Sequence, residues 1–216
     1  MDLGLKGRTA IVCAASQGLG KASAMALARE GVTLFIAARR GDVLESAADE
    51  IASASGNRPK TIIADVTTKE GRDAILAACP APGMIARKFG RIVNVTSHAV
   101  KAPVAMLALS NGAHTGLTGF VAGLARSTAE HNVTINNLLP GTFDTDRLKS
   151  NLAALAKNSS REVGALTEEI RAASPTKRFG HPDEFGATCA FLCSSHAGFI
   201  TAQNILIDGG AYSGSM

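Results

Sequence analysis

The 216 residues hold no dense run of basic side chains, no paired-cysteine spacing and no long uncharged apolar stretch, and each lack removes a class of function. The net charge of +4 comes from lysines and arginines in ones and twos, as in Arg39-Arg40, Arg87-Lys88 and Lys177-Arg178. Such pairs do not track a nucleic-acid backbone, so no nucleic-acid partner is expected. Cys13, Cys79, Cys189 and Cys193 show neither zinc-like nor redox CxxC spacing, the last two being simply one helical turn apart. A reduced thiol inventory and no metal site follow as expectations. The longest stretch without Asp, Glu, Lys or Arg, residues 102–125, is broken by Pro103, Asn111, His114 and several glycines. It is too polar for a bilayer span, and the Gly119-x-x-x-Gly123 spacing within it argues for close helix packing. No charged leader precedes an apolar core at the N-terminus, so the expectation is a soluble, cytoplasmic protein with no membrane partner. With 46% hydrophobic and 19% charged residues, the chain reads as a single globular α/β domain over residues 1–216.

What is present begins at the N-terminus. Thr9-Ala10-Ile11-Val12-Cys13 is a short apolar strand, Ala14-Ala15-Ser16-Gln17-Gly18-Leu19-Gly20 a turn of small residues, and 21–30 a helical pattern closed by Gly31. A second strand over 34–38 runs into Arg39-Arg40. A strand feeding a helix through such a turn leaves backbone N–H groups unpaired at the positive end of a helix dipole, where a phosphate can sit. A nucleotide is the first candidate ligand.

The alternation continues with a helix over 42–53, a turn at Ser55-Gly56-Asn57, a strand over 61–64 ending at Asp65, and a helix over 68–78. Strands follow at 92–96 and 133–138, separated by a small-residue helix over 111–130. Two polar helical segments cover 144–173, a helix spans 182–194, and a strand over 204–207 closes the series. Alternation of this kind implies a parallel sheet covered on both faces with right-handed crossovers, a Rossmann-type doubly wound α/β fold. Ligands of such sheets bind beyond the carboxyl ends of the strands, and Asp65, Ser97 and Pro140-Gly141 are expected just after strands on that edge.

These blocks together resemble the short-chain dehydrogenase/reductase family, and within it the 3-oxoacyl-carrier-protein reductase-like proteins. The resemblance runs through Gly18-x-Gly20, Asp65-Val66 and Arg91-Ile92-Val93-Asn94-Val95-Thr96-Ser97. It continues in Asn136-Asn137-Leu138-Leu139-Pro140-Gly141 with Thr145, in Arg178-Phe179-Gly180-His181-Pro182-Asp183-Glu184, and ends at Ile207-Asp208-Gly209-Gly210. It implies an oxidoreductase moving a hydride between a nicotinamide dinucleotide and a small-molecule carbonyl or secondary alcohol, with Ser16, Gly18, Leu19, Gly20, Arg39, Asp65, Val66, Pro140, Gly141 and Thr145 on the cofactor. Gly18 and Gly20 let the backbone approach a pyrophosphate, the alternative being a plain turn. Asp65 accepts from an adenine amino group in the family, and alone it could cap the next helix. Arg39 stands where an acid would select NAD, so NADP is expected in preference to NAD; a solvated surface arginine is the other reading. Pro140-Gly141 and Thr145 resemble a loop holding the nicotinamide amide, or an ordinary strand exit.

Two departures bear on the chemistry. Thirteen residues beyond the active-site serine the family carries a tyrosine, and four further on a lysine; counted from Ser97, those places hold Ser110 and His114. The lysine ordinarily helps the phenol protonate the carbonyl oxygen while the serine positions that oxygen. Tyr212 is the only tyrosine, and its place near the C-terminus argues against its substituting. Ser110 and His114 share a helix face, which offers an imidazolium as proton donor. Ser97, Ser110 and His114 are therefore the candidate catalytic residues, and a catalytically impaired paralogue that keeps the fold is the alternative.

The second departure is an apparent gap or deletion near 80–83. From Ala78-Cys79-Pro80 the chain passes through Ala81-Pro82-Gly83 into Met84-Ile85-Ala86-Arg87-Lys88-Phe89-Gly90, which resembles the last turns of the helix before the Ser97 strand. The family places a central strand and most of a long helix between these points, a unit of about 30 residues or more. Either the polypeptide lacks that unit, or these residues join two stretches of a longer polypeptide. Removing the middle of a buried sheet costs far more than a domain's net stability, which favours the second account, and an intact mass well above 22.1 kDa would show it. Loss of the strand exposes two ladders or forces them to re-pair. The smooth helix over 111–130, with Gly112, Ala113, Gly116, Gly119, Ala122 and Gly123, resembles the element through which the family pairs subunits, and a homodimer or homotetramer is expected.

Overall fold

The computed structural model describes residues 1–79 and 83–214. It divides into two compact units, the first built from the chain up to Arg91 with His131–Val133 and Asp183–Phe199, the second from Ile92–Glu130, Thr134–Pro182 and the chain from Ile200 on.

In the first unit, β1 (Thr9–Cys13), β2 (Thr33–Ala38) and β3 (Lys60–Ile63) form a parallel sheet in that order, with Ile11 opposite Phe35 and Ala37 opposite Ile62. The central strand β2 carries an unbroken buried run, Leu34-Phe35-Ile36-Ala37, as a strand covered on both faces requires. Helix α1 (Gly18–Arg29) buries Ala24, Leu27 and Ala28, and α2 (Gly41–Ser55) buries Leu44, Ala47, Ala48 and Ile51, a single face at helical spacing. Gly56 ends α2 in the left-handed conformation at φ 70°, its N–H reaching Ala52 O at 2.8 Å. Helix α3 (Lys69–Ala78) starts at Thr68, whose hydroxyl accepts from the Gly71 N–H. The core unites Leu5, Leu27, Val32, Leu34, Ile36, Leu44 and Ile51 with Ala190 of α7 (Pro182–Cys193). Helix α7 closes on α1 at Gly186, where an added Cβ would come 2.4 Å from Ala22 O.

In the second sheet the order is β4 (Gly90–Val95), β5 (Val133–Pro140), β6 (Asn204–Ile207), with β5 and β6 parallel and Leu138 opposite Ile205. Strand β5 is buried over its first seven residues. A row of amides crosses this sheet: Asn94 Nδ2 donates to Asn137 Oδ1 at 3.1 Å, and Asn137 Nδ2 to Asn204 Oδ1 at 2.7 Å. Helices α4 (Ala108–Thr128), α5 (Asp146–Ser159) and α6 (Val163–Ala173) complete the unit. Among the described residues no helix is long and apolar enough to cross a membrane.

The structure bears out the α/β class with parallel sheets and moves several boundaries, three of them near the site. Helix α1 begins at Gly18 rather than Lys21, because small residues at its first turn let the chain coil directly out of the loop. Strand β5 runs on through Pro140, so that residue ends the strand instead of following it; a proline is tolerated at such a terminus. Residues 84–88 form hydrogen-bonded turns, with Phe89 N donating to Met84 O and Lys88 N to Ile85 O, where the last turns of a helix were expected. The apparent deletion near 80–83 falls chiefly on residues 80–82, which lie outside the described residues. Among the described residues β1 is hydrogen-bonded to β2 within the first sheet, and β4 to β5 within the second.

Candidate functional site

The first unit presents the glycine turn. Gly18 sits at φ 57°, and a Cβ on Gly20 would lie 2.4 Å from Ala14 O, so the helix hugs the end of β1 only because that position has no side chain. Gln17, the residue preceding α1, makes no side-chain cap, and the first turn holds no acidic residue. The opening N–H groups of α1 are thus left without the acid or cap that would neutralise the dipole there, the arrangement an anion completes. Ser16 and Leu19 flank them half-buried, and Leu19 O accepts the Ser23 hydroxyl at 2.8 Å.

Arg39 follows β2 as an exposed side chain, and its charge helps hold the Asp65 carboxyl below the usual carboxylate range. The larger cause is Thr67, whose N–H and hydroxyl both donate to Asp65 Oδ1, at 2.9 and 2.8 Å. Val66 stands exposed between them. Asp65 thus shapes a local turn before α3, while Thr68 caps that helix itself. Arg40 is a contact the sequence pattern did not single out: its Nη2 donates to Gln17 Oε1 at 2.8 Å, tying the end of β2 to the start of α1.

In the second unit, Ser97 lies two residues past β4. Its Oγ accepts the Ala99 N–H at 3.1 Å and so starts a short 3-10 turn, His98–Val100, leaving the hydroxyl proton to donate elsewhere. The adjacent His98, also missed, sets its Nδ1 3.3 Å from Pro140 O. Gly141 N–H donates to Ile207 O at 2.8 Å, and a Cβ on Gly141 would fall 2.6 Å from Asp208 Cβ, so β5 and β6 leave the sheet in contact. Thr145 caps α5, its hydroxyl accepting the Leu148 N–H at 3.3 Å. Ser110 and His114 meet as their spacing on α4 requires, Oγ to Nδ1 at 3.2 Å. Tyr212 lies at the same end of the sheet through its N–H, which donates to Asp208 Oδ2 at 2.8 Å.

Comparison with known proteins identifies the family. Residues 8–82 match the family profile described as short chain dehydrogenase, and residues 74–212 that described as enoyl-(acyl carrier protein) reductase. The chain is 29% identical to the NADPH-dependent reductase BacG of Bacillus subtilis, over 94% of this chain and 97% of that one. It is 28% identical to the 3-oxoacyl-[acyl-carrier-protein] reductase FabG of Vibrio cholerae, over 97% and 99%. These alignments run over 252 and 257 residues, longer than the 216 of this chain, so both relatives carry segments that face nothing here. The L-sorbose reductase of Gluconobacter frateurii, solved with NADPH and L-sorbose, superposes with a TM-score of 0.91 at 24% identity, over 99% of this chain and 100% of that one, which shows the shared fold. With its glycine turn, its strand-end serine and profile matches that together run from residue 8 to residue 212, the chain belongs to the short-chain dehydrogenase/reductase family.

Proposed function

We propose that this protein is an NADP(H)-dependent oxidoreductase of a carbonyl compound or secondary alcohol, of the 3-oxoacyl type, built as one dinucleotide-binding domain. The observation that carries the reading is the start of α1, where Gly18 and Gly20 bare a helix terminus that has neither side-chain cap nor acid. Ser16, Gly18, Leu19 and Gly20 would hold the diphosphate, Asp65 and Val66 the adenine, and Arg39 a 2′-phosphate. Pro140, Gly141 and Thr145 would hold the nicotinamide amide. When bound, the cofactor supplies a hydride. The NADPH named for BacG and for the L-sorbose reductase supports the choice of cofactor.

On the substrate side, Ser97 uses its remaining hydroxyl proton to hold a carbonyl oxygen. Ser110 and His114, counted from Ser97, fall where the resemblance puts tyrosine and lysine, and their hydrogen bond makes them the candidate pair for moving a proton. The lid over 143–173 would select the substrate. The protein is proposed to work as a homodimer or homotetramer in the cytoplasm. The absent strand-helix unit belongs to the same reading, since the two profile matches change over at residues 74–82.

NADPH titration by calorimetry, run beside reduction of a ketone panel, tests this function. Binding with turnover is the expected result. Absence of heat with either pyridine dinucleotide overturns it. Binding without turnover favours the second reading, a paralogue that keeps the fold without transferring hydride, which the serine and histidine at 110 and 114 specifically suggest. Equal rates for wild type and His114→Ala would exclude the imidazole from the reaction.

A further inference from the structure

We propose that His98 is a positioning residue for hydride transfer, its imidazole holding the exit of β5 in register with Ser97 through a proton carried on Nδ1. The inference rests on the oxidoreductase reading above, with Ser97 at the substrate and Pro140-Gly141 at the nicotinamide. At the end of β4 the Thr96 N–H donates to Leu138 O at 2.8 Å, and the Thr96 hydroxyl donates to the same oxygen at 3.3 Å. Successive carbonyls of a strand point to opposite sides, so Pro140 O faces the same neighbour as Leu138 O. There the backbone ladder breaks off. Pro140 has no N–H to give, and Ser97 has already led its chain into the short turn His98–Val100. Pro140 O nevertheless meets a donor on that side, because His98 Nδ1 lies 3.3 Å from it. A side chain thus supplies the next rung.

A peptide carbonyl only accepts, so the ring nitrogen must donate, which in the neutral imidazole puts the proton on Nδ1 and a lone pair on Nε2. The ring has little freedom to leave. It is half-buried, and the His98 carbonyl accepts the Lys101 and Ala102 N–H groups at 2.9 and 3.0 Å, which ties its backbone into the turn. On the opposite side the Gly141 N–H donates to Ile207 O at 2.8 Å. The single peptide group joining Pro140 to Gly141 is therefore gripped at both ends, its oxygen by the residue next to Ser97 and its N–H by β6. Because a peptide group is planar, two such bonds leave it one orientation. Removing the ring bond frees the oxygen end, and the nicotinamide loop can then tip relative to a carbonyl held by Ser97. Hydride transfer depends steeply on that alignment.

Nitrogen–proton NMR spectra of the full chain test the bond without any substrate. The neutral His98 ring, identified by the resonances that disappear in His98→Asn, should be the Nδ1–H tautomer; an Nε2–H tautomer overturns the inference. Kinetics test the role. His98→Ala should lower kcat for ketone reduction about 3- to 10-fold, the scale of one hydrogen bond, with the ketone KM unchanged because what is lost is alignment. His98→Asn sets an amide N–H where Nδ1 stood and should restore most of the rate, whereas His98→Gln, one methylene longer, should stay as slow as the alanine variant. Wild-type kcat in His98→Ala, or asparagine no better than glutamine, overturns the role and leaves the oxidoreductase reading standing. A wild type that binds NADPH and reduces no ketone overturns both this role and the active reading, and one that binds no dinucleotide removes the cofactor reading as well.

Discussion

Arg39 and Arg40 leave β2 side by side; Arg40 is engaged through Gln17, and Arg39 is exposed with its charge acting on Asp65. A charge-assisted hydrogen bond to a phosphate is worth about 1.5–3 kcal/mol, roughly 10- to 100-fold in affinity. Arg39→Ala should therefore weaken NADPH by about that factor and leave NADH unaffected, as parallel calorimetric titrations would show. Residues whose role comes from type and neighbours, such as Gly18, Gly20 and the Ser110–His114 pair, were legible in the sequence because helix spacing and a missing Cβ are local properties. Arg40 and His98 were not, since each owes its place to a partner 23 residues or more away in the chain.

At the scale of elements, the turn before α3 depends on an ionised Asp65. Its carboxyl is held below the ordinary range by the Thr67 donors and then by Arg39, so the charge favours the fold at every pH above the unfolded value of about 3.9. The contribution is lost as pH falls through the depressed folded value. Wild type should accordingly exceed Asp65→Asn in stability at neutral pH, and urea titrations should show the difference vanishing in acid. Helix α4 makes the opposite case. Gly112, Gly116, Gly119 and Gly123 have nothing within 4 Å of an added Cβ, and Leu109, Phe120 and Leu124 are exposed beside them. Gly116→Ala should thus stabilise the isolated chain by about 0.5–1 kcal/mol in urea unfolding. If two copies pack on this face, as the proposed oligomer requires, the same change should shift sedimentation toward the smaller species. Element order was readable because hydrophobic periodicity is strong in β2, α2 and β5, whereas the ends of α1 and β5 moved by a few residues, since capping and strand exit depend on neighbours that periodicity does not encode.

For the molecule as a whole, NADPH binding should register as added thermal stability. A ligand at about 100 times its dissociation constant contributes about 2.7 kcal/mol. In a chain of this size that corresponds to a Tm raised by about 5–10 °C, against a smaller shift with equimolar NADH in a differential scanning experiment. The class of fold was legible because the alternation of strand and helix spans the chain; the arrangement of the strands among the described residues as two sheets of three was not, because strand pairing is decided by which strands are present to pair. The amide row Asn94–Asn137–Asn204 adds something else at this scale. A slip of one residue in either neighbour would take the partner amide away from the buried Asn137 carboxamide and leave its polar groups unpaired. The row therefore acts as a key that turns in one alignment only, and chains diluted out of urea should converge on a single product with one set of amide resonances.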